Sequence, residues 1–492
     1  MNDTLVRTED ILTISAQRYG ERSVVIDRAG YCSYHELSEA ALFVYKALQE
    51  CSIPAGSVIG ISILGARDFL ATLFGILHAR CIAIPISPSL SSAEQRRIVS
   101  ETEVSWVISH SNTTTAHPES IHTISHTALT QSLTINREAP PLQHTPIASF
   151  PDAAIIRHTS GTTAHSKGVV LSHRAILERA EISRTLLGVQ DTDIVLAPLP
   201  LAYHFVASAL AFLRSGATII DSVSLSAAEM LAMGELHGAT LIYASPLQYE
   251  LLCRSTTAET QLPLRSAFST SALLSKSTAE LFYKTFALRL TQVYGVIEIG
   301  LPIWNTLSSL EPNMLGQCKA PYECTIVDEY DSSVPSGKIG ELLIRGPGLF
   351  SGYLYGRDAG VAHHNETWFR TGDLVTRDKI GVIAYQGRKK SVINCGGNKI
   401  FPEEVEEVLQ LAPTIQATRV FAEPHALLGS LVVAEIVLAP GATQDIESWR
   451  ALCYSSLSGY KVPKEFRIID SLPTTGSGKI IRHSRQKAIA ES

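Results

Sequence analysis

One polar stretch organises the sequence, Arg157-His158-Thr159-Ser160-Gly161-Thr162-Thr163-Ala164-His165-Ser166-Lys167-Gly168. Apolar residues flank it, Ala153–Ile156 before and Val169–Leu171 after, which predicts a strand, a polar loop and a second strand. The backbone N–H groups near Gly161, the Ser and Thr hydroxyls and the ammonium of Lys167 suit a polyphosphate. The spacing is not that of a Walker loop, because Lys167 follows Ser166 rather than a glycine. An ordinary Ser/Thr-rich surface loop is the alternative interpretation.

The composition indicates a globular protein with no strongly charged partner. With 492 residues, 45% of them hydrophobic and 18% charged, the chain can form two or more compact units with large cores. A net charge of −6 gives no electrostatic reason to expect nucleic-acid binding. The eight cysteines form no CxxC pair, which predicts reduced thiols rather than a zinc site or a disulfide framework.

No stretch of the sequence predicts a membrane span. The N-terminus lacks the basic and then apolar pattern of a signal peptide. The most apolar region, Ile61–Ser87, is interrupted by Arg67, Asp68, His78 and Arg80. We therefore expect a soluble, cytoplasmic protein.

The first two thirds of the chain predict an α/β fold. Val58–Ser62 and Cys81–Ile86 are short, unbroken apolar runs on either side of a helical segment, as in strands that are buried on both faces of a parallel sheet. Further strands separated by helical patterns are expected at Ser23–Asp27, Ile194–Ala197, Ala217–Ile220, Thr240–Tyr243, Ser266–Phe268 and Thr291–Tyr294. Such an alternation predicts doubly wound sheets, with ligands where strands end, and Tyr294–Glu298 lies at one such end.

The pattern changes from about Gly316. Glycine-punctuated strands predict a small barrel or meander, and charged Gly387–Ser391 predicts a linker. The last hundred or so residues predict a small α+β unit, with a helix that begins at Pro402. We therefore expect a large domain over 1–387 and a small one over 388–492.

A polar segment between Val107 and Phe150 contains several histidines, which are His110, His117, His122, His126 and His144. Their spacing fits no pattern of metal ligands, and the surroundings predict a Ser/Thr/Pro loop. A metal site is therefore the less favoured interpretation of these residues.

Taken together and in order, several motifs resemble those of the acyl-adenylate-forming superfamily, which includes acyl-CoA and aryl-CoA ligases and adenylation domains. The similarity runs from about Tyr34 to Arg482. The matching segments are Thr159–Gly168, Pro200–His204, Tyr294–Glu298, Phe369–Asp373, Gly387–Glu406 and Pro473–Arg482. The resemblance implies that a carboxylate attacks the α-phosphate of ATP to give an acyl-adenylate and pyrophosphate, after which a thiol displaces AMP.

The resemblance also implies roles for individual residues. The phosphates of ATP would be held by Thr159, Ser160, Gly161, Thr162, Thr163 and Lys167, and the adenine flanked by Ser271, Ala272, Tyr294 and Gly295. Asp373 would accept hydrogen bonds from the ribose hydroxyls, backed by Arg388, and Glu298 would bind Mg²⁺. Lys479 would bridge the substrate carboxylate and the α-phosphate.

The second half-reaction implies a movement of the small domain. Lys390 matches the family's hinge, about which residues 388–492 would rotate between the two half-reactions. The rotation would withdraw Lys479 and bring Gly396 and Gly397 to the site, where they leave room for a pantetheine arm. His204 resembles the family's gate between the acid pocket and the thiol tunnel.

The sequence departs from the family pattern at several positions. Ala164 and Ser166 stand where the phosphate loop usually has Gly and Pro, and Ser271 and Leu273 replace the usual Gly and Pro of the adenine loop. Ile297 replaces a threonine that donates a hydrogen bond to the α-phosphate, and isoleucine cannot donate one. A nucleotide- or acyl-binding relative with little turnover is therefore the alternative hypothesis.

The substrate is expected to be a small aryl or aliphatic acid. Adenylation domains for amino acids carry an aspartate near the His204 region, and this sequence has none there. The expected acid pocket is formed by Tyr203–Ser208, Tyr243–Pro246 and Val296–Leu301. The acceptor thiol is expected to be that of CoA, and the phosphopantetheine of an acyl or peptidyl carrier protein is the alternative.

Overall fold

The computed structural model describes residues 5–90, 92–102, 104–111, 119–138, 146–158, 168–257, 260–306, 313–354, 360–361, 368–395, 398–425 and 429–473. These residues group into two compact units. Unit 1 contains the described residues up to 323 and those from 345 to 361, and unit 2 contains 324–344 and 368–473. This grouping reflects chain proximity alone, so the functional boundary expected between residues 387 and 388 stays a prediction.

The helices of the described residues are α1 (Asp10–Tyr19), α2 (Tyr34–Glu50), α3 (Ala66–His78), α4 (Ser92–Glu101), α5 (His173–Leu187), α6 (Leu201–His204), α7 (Ala209–Ser215), α8 (Ala227–His237), α9 (Pro246–Ser255), α10 (Lys276–Phe286), α11 (Pro402–Leu409) and α12 (Ile446–Ser456). Short 3₁₀ turns lie at Pro146–Ser149, Phe205–Ala207 and Lys389–Ser391.

The strands up to residue 318 are β1 (Ser23–Asp27), β2 (Gly30–Ser33), β3 (Val58–Ser62), β4 (Ile82–Pro85), β5 (Trp106–His110), β6 (Glu119–Ile124), β7 (Leu133–Arg137), β8 (Ala153–His158), β9 (Gly168–Ser172), β10 (Ile194–Ala197), β11 (Thr218–Asp221), β12 (Leu241–Ala244), β13 (Ser266–Ser269), β14 (Thr291–Val296), β15 (Gly300–Asn305) and β16 (Met314–Cys318). The later strands are β17 (Glu323–Val327), β18 (Gly340–Arg345), β19 (Gly352–Tyr353), β20 (Gly360–Val361), β21 (Phe369–Arg377), β22 (Ile383–Arg388), β23 (Ile393–Cys395), β24 (Asn398–Ile400), β25 (Ile415–His425), β26 (Gly429–Leu438) and β27 (Glu465–Ile468).

Unit 1 contains two large sheets. In the first, the strands follow the order β16-β15-β14-β13-β12-β10-β11-β1-β2, and the pairs from β14 to β1 are parallel. In the second, the order is β20-β19-β9-β8-β4-β3-β5-β7-β6, and β8, β4, β3 and β5 are parallel. Crossover connections place strands that are distant in sequence side by side, so the predicted doubly wound α/β architecture is confirmed.

The first sheet is stabilised by an apolar core on its helical side. Tyr249 of α9 and Phe282 of α10 are fully buried there and pack with their rings 5.0 Å apart. The Tyr249 hydroxyl donates to the carbonyls of Ile242 and Phe268, on two neighbouring strands, at 3.0 and 2.9 Å. Such a hydroxyl satisfies two buried acceptors and ties the helix to the strands.

Unit 2 combines a small antiparallel sheet with the predicted α+β region. The strands β17-β18-β21-β22 are neighbours in that order, which agrees with the expected meander. The α+β region has the sheet β25-β26-β27 and the hairpin β23–β24. Helix α11 begins at Pro402 as predicted, and its Val405 and Leu409 are fully buried.

Two expectations are wrong in part. The polar segment after Val107 is not only a loop, because its described parts include β5, β6 and β7, and His110 of β5 lies 2.9 Å from the buried Asp68 carboxylate. The linker expected at Gly387–Ser391 is also incorrect at its start, because Gly387 and Arg388 are the last residues of β22.

Candidate active site

The strands around the predicted phosphate loop are as expected. β8 and β9 are antiparallel, and His158 pairs with Gly168 at the mouth of the loop. The loop residues Thr159, Ser160, Gly161, Thr162, Thr163 and Lys167 lie outside the described residues. The same holds for Gly396, Gly397 and Lys479, so the roles of all nine stay predictions.

The turn between β14 and β15 presents Glu298 at a strand end. Tyr294 and Gly295 are in the last half of β14. A Cβ atom at Gly295 would lie 2.6 Å from Leu301 Cδ2 and 2.9 Å from the Gly300 carbonyl oxygen, so this close approach needs glycine. The tight turn brings the chain from the predicted adenine-binding residues to the predicted metal ligand within three positions.

Glu298 is half-buried and held by two contacts. The hydroxyl of Tyr353 donates to its Oε1 at 2.8 Å, and the Phe350 N–H donates to its carbonyl at 2.7 Å. Oε2 accepts no hydrogen bond from the residues that the structure describes. One oriented carboxylate with a vacant oxygen fits Mg²⁺, which takes one or two carboxylates and completes its shell with phosphate oxygens and water.

Arg179 of α5 supports the same turn and was not singled out in the sequence. Its Nη1 donates to the Ile297 carbonyl and its Nε to the Gly348 carbonyl, both at 2.7 Å. The side chain is buried, and burial lowers the pKa of Arg179 to about 10. Among the described residues, no carboxylate lies within salt-bridge distance of the Arg179 guanidinium. Nothing in the spacing of α5 distinguishes this arginine from Arg174, which is exposed.

Arg157, the last but one residue of β8, is a second buried arginine. It is 8% exposed, and its Nη2 donates to the Tyr203 carbonyl. Burial, and then the charge of Arg179, lower the pKa of Arg157 to about 9. Tyr203, Glu298 and Tyr243 act on it in the opposite direction. The acid pocket is expected to form from three segments. Each of them therefore has one residue close enough to influence the pKa of Arg157.

The predicted gate residue lies beside the predicted adenine loop. His204 ends the short helix α6, and its Nε2 is 3.5 Å from the Ser271 hydroxyl. Ser271 has a φ of +75°, a conformation that favours glycine, the residue usual in the family at this position. Ala272 is exposed. The structure thus brings His204 and Ser271 together, and their roles stay predictions.

In unit 2, Asp373 and Arg388 face each other across β21 and β22. They are register partners, and Arg388 Nε lies 2.6 Å from Asp373 Oδ1. The Asp373 side chain is 1% exposed, whereas Arg388 is about half exposed and also donates to the Thr371 carbonyl at 3.2 Å. The ion pair orients the carboxylate that is predicted to bind the ribose.

The turn Lys389–Ser391, which contains the predicted hinge residue Lys390, begins with a member of an ionic cluster. Lys389 Nζ and Arg370 Nη1 lie 2.9 and 2.8 Å from Glu341 Oε2. Burial of Glu341 opposes its ionisation, but the two cations outweigh it, so the pKa of Glu341 lies below its usual range. The cluster was not predicted, because its members are separated by about 20 to 50 residues in the chain.

The part of the chain that the structure describes contains no helix that is long and apolar enough to cross a bilayer. It also contains no group of three or more His, Cys, Asp or Glu side chains placed to hold a metal ion.

Comparison with known proteins identifies the family. The model for the AMP-binding enzyme family matches residues 12–354, and that for the AMP-binding enzyme C-terminal domain matches residues 404–479. A sulfoacetate–CoA ligase of Cupriavidus necator is 31% identical over 341 residues, which cover 68% of this chain and 66% of that protein. An oxalate–CoA ligase of Arabidopsis thaliana is 27% identical over 469 residues, 91% of either chain. The fold matches ATP-bound MatB from Rhodopseudomonas palustris, with a TM-score of 0.82, 21% identity and coverage of 99% and 98% of the two chains.

The chain belongs to the AMP-binding enzyme family, because the family model matches well over half of it. It is an AMP-forming acid–thiol ligase, which activates a carboxylic acid with ATP and transfers it to a thiol. The class expected from the ordered motifs is thereby confirmed.

Proposed function

We propose that this enzyme joins a small, non-amino carboxylic acid to CoA, with Mg²⁺-bound ATP as the activating substrate. The observation that carries the proposal is the oriented carboxylate of Glu298, which has an oxygen to offer a metal at the end of β14. CoA is favoured over a carrier protein because the relatives named above are CoA ligases. The eight free cysteines fit a reducing cytoplasm, where ATP and CoA are available.

The proposal assigns each expected residue its part. Thr159–Thr163 and Lys167 hold the phosphates, Ser271, Ala272, Tyr294 and Gly295 flank the adenine, and Asp373 with Arg388 binds the ribose. Lys479 neutralises the reacting carboxylate and α-phosphate. His204 gates the thiol tunnel, Gly396 and Gly397 line it, and the domain over 388–492 turns about Lys390.

The first experiment is carboxylate-dependent ATP–pyrophosphate exchange over aryl, short-chain, long-chain and amino acids, followed by CoA or a carrier protein as acceptor. We expect exchange with one class of non-amino acid and thioester formation with CoA. If no acid of the panel supports exchange although ATP still binds, the alternative hypothesis of a nucleotide- or acyl-binding relative with little turnover would be supported instead. Thioester formation only on a carrier protein would replace CoA in the proposal.

Lys479→Ala tests the assigned mechanism. Because the ammonium is needed only where carboxylate meets α-phosphate, we expect adenylation to be abolished and thioester formation from supplied acyl-adenylate to persist. Lys464→Ala, which removes a lysine outside the predicted motifs, is the control. Adenylation by the Lys479 variant at the wild-type rate would disprove the role.

A further inference from the structure

The side chains of Arg157 and Ile156 project from opposite faces of β8. In a strand, successive side chains project from opposite faces. Ile156 projects into an apolar cluster with Ile84 and Val170. Arg157 therefore projects from the other face of β8, where its guanidinium carbon lies 5.9 Å from the ring centroid of Phe205 and its Nη2 donates to the Tyr203 carbonyl.

Arg157 forms no ion pair with the residues that the structure describes. Among the described residues, no carboxylate lies within salt-bridge distance of its guanidinium, and its Nε has no hydrogen-bond partner. The nearby charge that acts on it most is that of Arg179, which has the same sign. The carboxylate of Glu298 acts in the opposite direction but forms no ion pair with Arg157. A buried cation without an ion-pair partner is costly in a folded protein. Arg157 is nevertheless largely charged at neutral pH, because its lowered pKa is still about 9.

The surroundings of Arg157 are those of the expected acid pocket. Tyr203 and Phe205 belong to the segment with the predicted gate, and Tyr243 and Glu298 represent the two other pocket segments. An anion that enters this pocket would meet a guanidinium with an unused N–H donor. Guanidinium binds planar or tetrahedral oxyanions through paired, charge-assisted hydrogen bonds.

We propose that Arg157 is a specificity-determining residue that binds a second anionic group of the substrate. The acid is accordingly a short one with two anionic groups, either a dicarboxylate or a sulfonated carboxylate. This inference rests on the proposed function. It is consistent with the names of two relatives, because sulfoacetate and oxalate each carry two acidic groups.

The short length follows from the closeness of Arg157 to the predicted Mg²⁺ ligand. Glu298 acts on the charge of Arg157, so its carboxylate lies near the guanidinium. The reacting carboxylate must lie at the phosphates, while the second anion must reach Arg157. Only a few bonds can separate the two groups.

Substrate pairs matched in size test the proposal. Wild-type enzyme, Arg157→Met and Arg157→Lys are assayed by ATP–pyrophosphate exchange with malonate against propionate, succinate against butyrate, and sulfoacetate against propionate. We expect the wild type to prefer the doubly charged acid by about 100-fold in kcat/KM, a factor that fits loss of one charged, buried hydrogen-bonded pair. Arg157→Met should lose that preference through a higher KM for the diacid and leave the monoacid unchanged. Arg157→Lys keeps the charge but lacks the paired N–H donors of the guanidinium, so its preference for the doubly charged acid should be intermediate.

Two controls separate a binding role from a structural one. Arg254→Met removes an exposed arginine of unit 1. It should change neither the activity with the doubly charged acid nor that with the monoacid. Retained ATP binding and melting temperature in Arg157→Met would show that the fold is intact. A wild-type preference for monoacids, or an equal loss for both members of a pair, would overturn the proposal, because the second result means that Arg157 serves the fold or the reacting carboxylate.

Direct binding distinguishes failure of this inference from failure of the proposed function. Calorimetric titration of malonate and propionate into wild-type enzyme and Arg157→Met needs no turnover. If no acid supports ATP–pyrophosphate exchange, the proposed ligase activity is refuted. Binding of malonate to the wild type alone would still support the role of Arg157, and equal binding to both proteins would refute it.

Discussion

Ile297 combines a fixed backbone with a side chain that cannot donate a hydrogen bond. Its carbonyl accepts from Arg179 at 2.7 Å, so the residue next to Glu298 is held in place. The side chain is half-buried. A threonine is smaller than isoleucine but also β-branched, so it should be accepted by the same backbone.

Ile297→Thr should therefore accelerate adenylation. The new hydroxyl can donate to the α-phosphate where charge develops, and one such donor is worth a factor of about 100 or more when fully formed. We expect about a tenfold rise in kcat for ATP–pyrophosphate exchange with little change in KM for the acid. Ile297→Val, which has the size and branching of threonine but cannot donate, should show no rise. A rate that is unchanged or lower in the threonine variant would mean that this position does not face the α-phosphate.

The same scale shows where sequence reasoning stops. Glu298 and Asp373 were predicted because their motifs are local in sequence. Arg157 begins the polar stretch Arg157–Gly168, yet it is buried and donates to the Tyr203 carbonyl, 46 positions later. Arg179 likewise acts on residues more than a hundred positions away. Side-chain contacts over such separations are properties of packing and leave no periodic signal.

Helix α5 is the element that joins the two parts of unit 1 around the site. Ser172, at the end of β9, caps it by accepting the Ala175 N–H at 3.1 Å. In the middle of the helix, Glu178 accepts from the Gly348 N–H at 2.6 Å, while Arg179 donates to the carbonyls of Gly348 and Ile297. The helix thus fixes both the β14–β15 turn and the segment that leads to Tyr353.

Arg179→Met should loosen that turn. Two carbonyls would lose their donor in a buried place, which costs on the order of 3 kcal/mol in the free energy of unfolding. Because Glu298 lies in the same turn, we also expect adenylation to fall about tenfold or more. Urea unfolding and ATP–pyrophosphate exchange measure the two effects.

Arg179→Lys is the matched variant, since it keeps a cation but can reach only one of the two carbonyls well. It should recover part of both losses. If Arg179→Met unfolded at the wild-type urea concentration, the hydrogen bonds to the two carbonyls would not contribute to stability.

The elements themselves were predicted unequally. β1 and β3 agree with the predicted bounds to the residue, because buried strands need apolar runs. β6 was missed because it lies at the edge of its sheet and most of its described side chains are exposed or half-buried, including Ser120, Ile121 and Thr123. An edge strand of this kind does not require apolar alternation, so its sequence resembles that of a loop.

At the level of the whole molecule, His173 of α5 contacts two residues of the N-terminal segment, Arg7 and Thr8. Arg7 Nη2, which can only donate, lies 2.7 Å from Nε2 of His173, and the Thr8 hydroxyl lies 3.0 Å from Nδ1. The Thr8 backbone N–H also donates to Nδ1 at 3.1 Å. Because donors face both ring nitrogens, the doubly protonated imidazolium is disfavoured. Burial, and then the charge of Arg7, lower the pKa of His173 to about 4.

This histidine should make unit 1 sensitive to acid. The pKa is about 6.5 in an unfolded chain and about 4 in the folded one, so the unfolded state gains the proton first as the pH falls. The contribution of His173 to the free energy of unfolding is fully present above pH 6.5. It falls between pH 6.5 and 4, by on the order of 3 kcal/mol at the lower end. Urea midpoints measured from pH 7 to pH 4 should show this slope.

The slope should be smaller in His173→Gln, which cannot titrate, and unaltered in His35→Gln, which removes an exposed histidine. Parallel curves for His173→Gln and the wild type would show that another group is responsible.

The place of β1 has a consequence for biosynthesis. Val25 pairs with Ile219 of β11, almost two hundred residues later. At the pace of a ribosome, the partner strand emerges on the order of ten seconds or more after β1. Until then Val24, Val25 and Ile26, which the finished unit buries, have no β11 to pair with. β1 can pair with β2 as soon as both are made, but its other edge stays open until β11 is made, and this is the interval in which a nascent copy is most exposed to aggregation or to capture by a chaperone.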